Sequence, residues 1–310
     1  MGACKQMLKI SLNQHGTRAL QKMIQWVNTP EQINMISTAL KHDVVSLALD
    51  LNGNHVIQKC LNYFEPNQFQ FIIDAICTHV LVVGTHRHGC CVLQRCVDHA
   101  NPAQRAQLVR AIVPRCQRMV MDPFGNYVVQ YIMDLGEPKL SEPLCKTFLG
   151  SVCTLSRQKF SSNVVEKAIR TASDETRRLL ICELVDPVEL EHMMNDGFGN
   201  YVIQTALDYA DIEVKTMLIQ ALRPLVSSYL HQPHGRRIYL RIQEFDTIQL
   251  EDSQKKAAAP LGPTGFLHSA LRYNANGGSG QSEPPVGSLA RRARDGAGDP
   301  SRRPGEQDNF

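Results

Sequence analysis

The segment FGNYVVQ at residues 124–130 returns almost unchanged as FGNYVIQ at residues 198–204. The same frame recurs in four further segments, HGTRALQ (15–21), NGNHVIQ (52–58), HGCCVLQ (88–94) and FSSNVVE (160–166). A degenerate seventh copy, HGRRIYL, occupies residues 234–240. The third residues of successive copies lie 37, 36, 36, 36, 38 and 36 positions apart. A register kept through so many copies indicates a protein built from stacked repeats.

Amphipathic segments lie between the copies, and each is opened by a proline or a polar residue. Examples are TPEQINMISTAL (29–40), EPNQFQFIIDAI (65–76), NPAQRAQLVRAI (101–112) and SDETRRLLICEL (173–184). Their apolar residues recur at the i, i+3, i+4 and i+7 spacing of a helix, and proline suits the first helical turn. A shorter apolar segment precedes several motifs and ends at Asp50, Asp122 or Asp196. No segment alternates like a strand, and no unit can bury its apolar face alone. The sequence therefore predicts an all-α solenoid, curved because each unit is rotated from the last.

The composition narrows the class of protein. The 310 residues carry a net charge of +3 and are 43% hydrophobic. No apolar run is long enough to span a membrane, and the N-terminus lacks the apolar core of a signal peptide. The ten cysteines form no CxxC pair. We therefore expect reduced thiols and a cytoplasmic protein without a membrane partner.

The C-terminal part has a different composition. From residue 246 to residue 310 the chain is rich in Gly, Pro, Ala and Ser and shows no hydrophobic period. Such a segment cannot offset its ordering entropy by burial. We expect a repeat array over residues 1–245 and a disordered tail over residues 246–310. The basic SLARRAR (288–294) in this tail is a targeting or RNA-contacting patch or, more simply, a solvated charge cluster.

The motif has three polar positions, which we number from the third residue of each string. In NGNHVIQ they are the first position (Asn54), the second position (His55) and the fifth position (Gln58). On a helix the first and fifth side chains share one face with the second beside them, while Val56 and Ile57 turn into the core. Two adjacent polar groups suit the edge of a flat heterocycle, and a planar second-position side chain suits its face. Proteins that recognise single-stranded RNA one base per helical repeat use two or three side chains in this way.

Six of the strings have a polar residue at the fifth position. They resemble successive repeats of the Pumilio (PUF) family of RNA-binding proteins, and in particular its fungal-type members. The resemblance covers about residues 3–245. It implies a right-handed α-solenoid of three-helix repeats of about 36 residues, with a concave RNA-binding face. In order, the strings resemble repeats three to eight of the family, followed by its C-terminal pseudo-repeat. The first two repeats of the family are therefore expected to be missing from this chain.

The resemblance implies a role for each polar position. First- and fifth-position residues are expected to bind base edges: Thr17, Gln21, Asn54, Gln58, Cys90, Gln94, Asn126, Gln130, Ser162, Glu166, Asn200 and Gln204. Second-position residues are expected to stack on bases: Arg18, His55, Cys91, Tyr127, Asn163 and Tyr201. In the family, Asn with Gln selects uracil, Cys or Ser with Gln selects adenine, and Ser with Glu selects guanine. Members bind RNA antiparallel, which implies the sequence 5′-UGUAUA-3′ for this chain.

Glu166 is the one acidic residue among the fifth positions. Guanine presents two donors on its Watson–Crick edge, N1–H and N2–H₂, and a carboxylate can accept from both. A glutamine would place its own NH₂ against one of those donors. The sequence therefore predicts a guanine site at Ser162 and Glu166, with Glu166 as the residue that sets the specificity.

Three copies depart from the family pattern. Cys91 stands where a ring or an arginine would stack, and Thr17 is an unusual first-position residue. In the last copy Arg236 and Arg237 keep the frame, but Leu240 removes the polar fifth position, so we expect this copy to cap the array.

The residue after the fifth position is basic in four copies: Lys22, Lys59, Arg95 and Lys167. Such a ladder either contacts phosphates and makes RNA affinity salt-dependent, or is only a solvated face.

The string HRHGCC (86–91) invites a zinc-binding interpretation. Its possible ligands are His86, His88, Cys90 and Cys91. Adjacent cysteines point about 100° apart on a helix, and the repeat already accounts for their positions, so no metal or other cofactor is expected. Cys60 and Cys96 are expected to pack in the core. No nucleophile stands beside a histidine with an orienting acid, so the sequence does not predict an enzyme.

The resemblance also implies a biological role. It predicts a monomer that binds single-stranded mRNA with UGUA elements in 3′ untranslated regions and represses or degrades the transcript through deadenylase or translational-repressor proteins on its convex face. Two alternatives remain, a protein-binding α-solenoid scaffold and a divergent Pumilio-like factor of ribosome assembly. The glycines and asparagines could also serve only to open and cap helices. Helix capping by the first-position residue does not require a polar residue four positions after it. The six copies with first-, second- and fifth-position residues of this kind therefore favour base recognition.

Overall fold

The structure is a computed structural model that describes residues 2–258, and this part of the chain is helical with no strand. The predicted all-α repeat solenoid is confirmed. Each complete repeat contributes three helices. We name them the motif helix, the flanking helix and the linking helix, in the order in which the chain forms them.

The motif helices begin at the second residue of each seven-residue string, where the sequence predicts a helix start. Each contacts the next motif helix along the chain. They are α2 (Gly16–Trp26), α5 (Gly53–Tyr63), α8 (Gly89–His99), α11 (Gly125–Asp134), α14 (Ser161–Thr171) and α17 (Gly199–Tyr209).

The flanking helices correspond to the amphipathic segments between the motifs. They are α3 (Pro30–Leu40), α6 (Gln70–Thr78), α9 (Pro102–Ile112), α12 (Pro138–Lys146), α15 (Asp174–Cys182) and α18 (Ile212–Val226). Side-chain oxygens of Thr29, Asn101, Ser173 and Asp211 cap four of them. The helix predicted over residues 65–76 is partly wrong, because residues 65–69 form turns and α6 starts only at Gln70. The Gln68 side chain accepts from the Glu65 N–H there, and the turn carries Phe69 into the core.

The linking helices are short and lead into the next motif. They are α4 (Val44–Leu49), α7 (Val80–Gly84), α10 (Cys116–Val120), α13 (Val152–Ser156) and α16 (Pro187–Met194). The array is bounded by α1 (Gly2–Leu12), which contacts α2 and α3, and by α19 (Pro233–Ala258), which contacts α17 and α18.

The core runs between the layers as the sequence predicts in five of the motif helices. Third- and fourth-position residues such as Val56 and Ile57 are fully buried. Cys60 and Cys96 are buried as well, and burial raises the pKa of the Cys60 thiol to about 12. In α2 the expectation is wrong for Ala19, which is exposed although Leu20 is buried.

A close backbone approach explains the glycine at the start of the motif helices. A Cβ on Gly125 would lie 2.5 Å from the carbonyl oxygen of Met119 in the linking helix. The one motif helix that starts with serine keeps the same approach, because the Ser161 hydroxyl donates to the equivalent carbonyl of Leu155 at 2.6 Å. This contact holds the start of each motif helix against the linking helix before it.

The expected boundary of the tail at residue 246 is wrong, since α19 continues to Ala258. The segment IQLEDSQKKAA is rich in Gln, Leu, Glu, Lys and Ala, and such residues extend an established helix at little cost. The rest of the expected tail, with the SLARRAR segment, lies outside the described residues. Between residues 2 and 258, no helix has the length and apolar character needed to cross a membrane.

Replacing Gly125 by Ala should destabilise the array, because the new Cβ would meet a backbone carbonyl that can give way only if the backbone shifts. We expect a loss of about 1–3 kcal/mol of unfolding free energy, as for other overpacked sites. Urea unfolding followed by circular dichroism measures the loss. Gly197→Ala is the matched control, since a Cβ there meets no heavy atom within 4 Å. Equal stability of the two variants would contradict the close-approach explanation.

Candidate nucleic-acid interface

In three of the motif helices an aspartate carboxylate accepts hydrogen bonds from backbone amides at the helix start. Asp122 lies four residues before the first motif position, and its Oδ1 accepts from the N–H groups of Phe124 and Gly125, both at 2.8 Å. Asp50 and Asp196 bind the equivalent amides. These Asx-type turns satisfy donors at the start of the helix that have no intrahelical partner.

Other residue types occupy the same place in the remaining copies. In the first copy Asn13 accepts through Oδ1 from His15 N–H and Gly16 N–H. In the third copy the acceptor is Nδ1 of His86, which takes the His88 N–H and Gly89 N–H at 3.2 and 3.4 Å. In the fifth copy Gln158 makes no side-chain hydrogen bond with the residues that the structure describes.

The first-position asparagines are oriented by backbone carbonyls. Nδ2 of Asn126 donates to the Asp122 carbonyl at 2.8 Å, and Nδ2 of Asn200 donates to the Asp196 carbonyl at 2.9 Å. A carbonyl can only accept, so the asparagine must turn its NH₂ toward the turn and its Oδ1 toward the fifth position. Asn54 makes the same contact with Asp50.

The orientation of asparagine determines the orientation of glutamine. Nε2 of Gln130 donates to Oδ1 of Asn126 at 2.9 Å, and Nε2 of Gln58 donates to Oδ1 of Asn54 at 2.9 Å. An NH₂ group has two hydrogens, so each glutamine keeps one N–H and its Oε1 for a ligand. These repeats therefore present an adjacent donor and acceptor whose order is set by the backbone.

Smaller first-position residues do not hold the fifth position in the same way. Cys90 directs its Sγ to the Arg87 carbonyl at 3.5 Å, and Ser162 directs its Oγ to the Lys159 carbonyl at 3.5 Å. Thr17 is intermediate, because its Oγ1 accepts from Gln21 Nε2 at 3.2 Å and donates to the Asn52 carbonyl. The sites at Cys90 and Ser162 therefore leave more room in front of the helix than the asparagine sites.

The second-position residues are all exposed, as a stacking role requires. Tyr127 and Tyr201 expose 59% and 48% of their surface. Cys91 is also exposed, next to the buried Cys90.

A cleft surrounds the predicted guanine site. This cleft, of about 720 Å³, is lined by three consecutive motif helices, with Tyr127 on one side, Tyr201 on the other and Ser162 and Glu166 at its base. Gln130 also lines it. The cleft is large enough for a base and open along the direction of the repeats.

Three of the four basic residues after the fifth position contact other side chains, whereas Lys22 is exposed. Lys167 pairs with Asp134 of the preceding motif helix at 2.5 Å, and Arg95 pairs with Asp98 at 3.3 Å. Lys59 lies over the ring of Tyr63, with Nζ 5.4 Å from the ring centroid. For Lys167 and Arg95 a phosphate contact would have to compete with these ion pairs.

Sequence reasoning missed the structural role of this position, which links neighbouring motif helices. Tyr131 donates to Asp98 of the preceding repeat, and this hydrogen bond raises the pKa of the tyrosine. In the last copy Arg241 binds both carboxylate oxygens of Asp208, at 2.8 and 3.2 Å. The available signal was a recurring aspartate at one register position, Asp98, Asp134 and Asp208, each eight residues after the first motif position.

The structure gives the HRHGCC residues roles other than metal binding. His86 accepts backbone amides, and burial followed by Cys91 raises the pKa of Cys90 to about 12, which keeps its thiol protonated. Burial and the nearby Arg87 lower the pKa of His88. Within the described part of the chain, no group of three or more His, Cys, Asp or Glu residues could hold a metal ion.

The seventh copy differs in its geometry, as its sequence suggests. Arg236 donates through Nε to the Leu230 carbonyl at 2.8 Å, and Leu240 is 60% exposed. No polar pair faces outward at its first and fifth positions.

Removal of the Asp122 carboxylate should weaken the fourth motif helix. For Asp122→Ala we expect a loss of about 1–2 kcal/mol in urea unfolding, because two backbone donors lose their acceptor. Asp122→Asn keeps a side-chain oxygen and should lose much less. Gln158→Ala is the control at the equivalent place, where the side chain caps nothing in the described structure. A loss in Gln158→Ala as large as in Asp122→Ala would argue against the capping role.

Comparison with known proteins gives a consistent family. The model of the Pumilio-family RNA binding repeat matches residues 6–40, 43–77, 79–113, 115–146, 151–185 and 191–223. A Pumilio domain-containing protein of Schizosaccharomyces pombe is 52% identical over 237 residues, covering 76% of this chain and 35% of that protein. Pumilio homolog 12 of Arabidopsis thaliana is 40% identical over 232 residues, covering 75% of this chain and 39% of that protein. The chain thus spans less than half the length of these relatives.

Solved structures of RNA-binding domains of the same family are similar to this chain. The Puf4 RNA binding domain bound to an HO endonuclease RNA 3′ UTR recognition sequence superposes with a TM-score of 0.69 at 39% identity, covering 77% of each chain. The RNA-binding domain of yeast Puf5p bound to SMX2 RNA gives a TM-score of 0.67 at 33% identity, covering 77% of this chain and 76% of that one. The repeat motif, the three-helix unit and these matches together show that the chain belongs to the Pumilio family of RNA-binding, non-enzymatic repeat proteins.

Proposed function

We propose that the chain binds single-stranded RNA in a sequence-specific manner, with one base at each of its six motif helices. The observation that carries this proposal is the cleft around Glu166, where an acceptor-only side chain lies between two exposed tyrosines, Tyr127 and Tyr201. A base inserted there would stack on aromatic faces, and its edge would meet the carboxylate. Base–aromatic stacking supplies about 1–3 kcal/mol for each base.

The asparagine repeats suit uracil. Two of them present one free N–H and the Oε1 of a glutamine, with Gln58 and Gln130 held in this order by asparagine. In the last of the three, Gln204 is buried, and its Nε2 donates to both the backbone oxygen and Oδ1 of Asn200, so a base must displace part of this arrangement. Uracil carries an acceptor carbonyl next to the N3–H donor on its Watson–Crick edge, and this pattern is complementary. Since the backbone carbonyl sets the orientation of asparagine, glutamine cannot flip its amide without losing the hydrogen bond to Oδ1.

The sites with small first-position residues suit purines. Cys90 and Ser162 leave the space that the larger ring system requires. Between the two purines, Glu166 selects guanine, because its carboxylate accepts from N1–H and N2–H₂ but would face the unprotonated N1 acceptor of adenine. Gln94 can donate to that adenine N1 and accept from its amino group.

An antiparallel arrangement along the repeats corresponds to 5′-UGUAUA-3′. The Puf4 and Puf5p structures contain RNAs, and that of Puf4 is named as a 3′ UTR recognition sequence. We extend this to a role in binding 3′ untranslated regions of mRNA in the cytoplasm, with repression or decay of the transcript. Recruitment of deadenylase or repressor proteins and action as a monomer are part of the same proposal.

Glu166→Gln should shift the base preference at the second RNA position from guanine toward adenine. The amide replaces one acceptor by a donor, and the discrimination lost is expected to be about 1–3 kcal/mol, as for other bidentate side-chain–base pairs. Fluorescence anisotropy with labelled 5′-UGUAUA-3′ and 5′-UAUAUA-3′ at one salt concentration gives the ratio of the two affinities.

Glu175→Gln is the matched control, because this exposed glutamate lies on the flanking helix α15. It should leave the ratio unchanged. If the parent chain binds the two RNAs equally, sequence-specific recognition is wrong, and a non-specific or protein-binding array explains the fold better.

Cys91→Tyr should strengthen RNA binding. The third copy of the motif in this chain, HGCCVLQ, lacks a planar group at its exposed second position. A tyrosine would restore part of the stacking energy, about 1–3 kcal/mol. The gain should disappear with an RNA in which the adenine of UGUA is replaced by an abasic site. An equal gain with the abasic RNA would mean that the tyrosine does not stack on that base.

A further inference from the structure

Glu166 is held by two residues that belong to none of the predicted motif positions for base binding. Oε2 of Glu166 accepts from Nη2 of Arg170 at 2.7 Å and from Oγ1 of Thr205 at 2.8 Å. Arg170 lies one turn further along α14, while Thr205 lies on α17 of the next repeat. Nη2 of Arg170 also donates to Oγ1 of Thr205 at 3.2 Å, which closes the set.

Each hydrogen bond in this cluster has its own donor hydrogen and acceptor lone pair. The Thr205 hydroxyl has one hydrogen, which it donates to Glu166, while its oxygen accepts from Arg170. The carboxylate has about four acceptor positions, and the two donors occupy those of Oε2. No described residue donates to Oε1. Oε1 therefore keeps its two positions for the two donors on the edge of guanine.

The contrast with the asparagine repeats shows why such a support is needed. In those repeats the first-position asparagine holds the fifth-position amide, as Asn126 holds Gln130. Ser162 is too short to do this and directs its hydroxyl to the Lys159 carbonyl instead. Without Arg170 and Thr205, Glu166 would have no hydrogen bond within the described structure and could turn away from the base.

We propose that Arg170 and Thr205 are specificity-positioning residues that hold Glu166 with Oε1 toward the base and thereby set the preference for guanine over adenine. This proposal rests on the proposed function of Glu166. A fixed carboxylate accepts from guanine without losing further rotamer freedom, and it keeps an acceptor opposite adenine N1. Arg170 also balances the negative charge of Glu166, whose side chain is only 15% exposed before any base covers it.

The test measures the affinity ratio for 5′-UGUAUA-3′ against 5′-UAUAUA-3′ in the parent chain and in Thr205→Val, Arg170→Gln and Thr205→Ser. The first two variants each remove a donor to Oε2, and each should reduce the guanine preference about tenfold. Thr205→Ser keeps the hydroxyl and should keep the preference. A second ratio, 5′-UGUAUA-3′ against 5′-UGUGUA-3′, reports on Cys90 and Gln94 and should not change.

The outcomes separate positioning from a general structural role. Equal losses for both RNAs of the first pair, or an unchanged ratio in both Thr205→Val and Arg170→Gln, would overturn the proposal. Thr205 is buried, so its variants are checked by urea unfolding, and if Thr205→Val does not fold, the partly exposed Arg170→Gln decides. A parent chain without guanine preference would instead contradict the proposed function, which this experiment distinguishes because the parent is measured first.

Discussion

The close approach of each motif helix to the linking helix before it is the constraint on which the surface depends. Where the helix starts with glycine, the carbonyl of the linking helix occupies the space that a side chain would need, as Met119 does against Gly125. The serine at position 161 satisfies the same constraint with a hydrogen bond to Leu155. With its start held in this way, each motif helix has a defined rotation, in which the second-position side chain is exposed and the first-position side chain is buried beside the fifth.

Backbone carbonyl oxygens, which can only accept hydrogen bonds, set the orientation of the side-chain amides at this surface. The carbonyl oxygens at the start of the motif helices orient the asparagines, and the asparagines orient the glutamines, so the order of donors and acceptors at the surface follows from the backbone. This order exists before any ligand binds. Preorganisation of this kind reduces the entropy lost on binding, which favours discrimination between bases that differ by a single donor or acceptor.

Several features could not be predicted from one sequence, and each depends on a neighbouring repeat. Ala19 has the same place in its string as Val56 but is exposed, and its helix α2 contacts the motif helix α5, whereas α5 contacts both α2 and α8. Lys167 looked free to contact a phosphate, yet the nearest carboxylate, Asp134, belongs to the repeat before it. The start of α6 and the extension of α19 have a local cause instead. The turn before α6 places Phe69 in the core, and helix-forming residues extend α19 to Ala258.

The sequence by itself determined the repeat period, the all-α class, the motif helices and the side chains that they present together. These follow from local geometry, since residues four apart on a helix share a face whatever surrounds them. The identity of Glu166 as the exceptional fifth-position residue is equally plain in the sequence. Only the tertiary structure decided which groups orient those side chains. Arg170 lies on the same helix as Glu166, but Thr205 and the partners of Asp134 and Asp208 stand on adjacent helices 33 to 39 residues away, and such a distance is bridged by stacking of repeats rather than by any local rule.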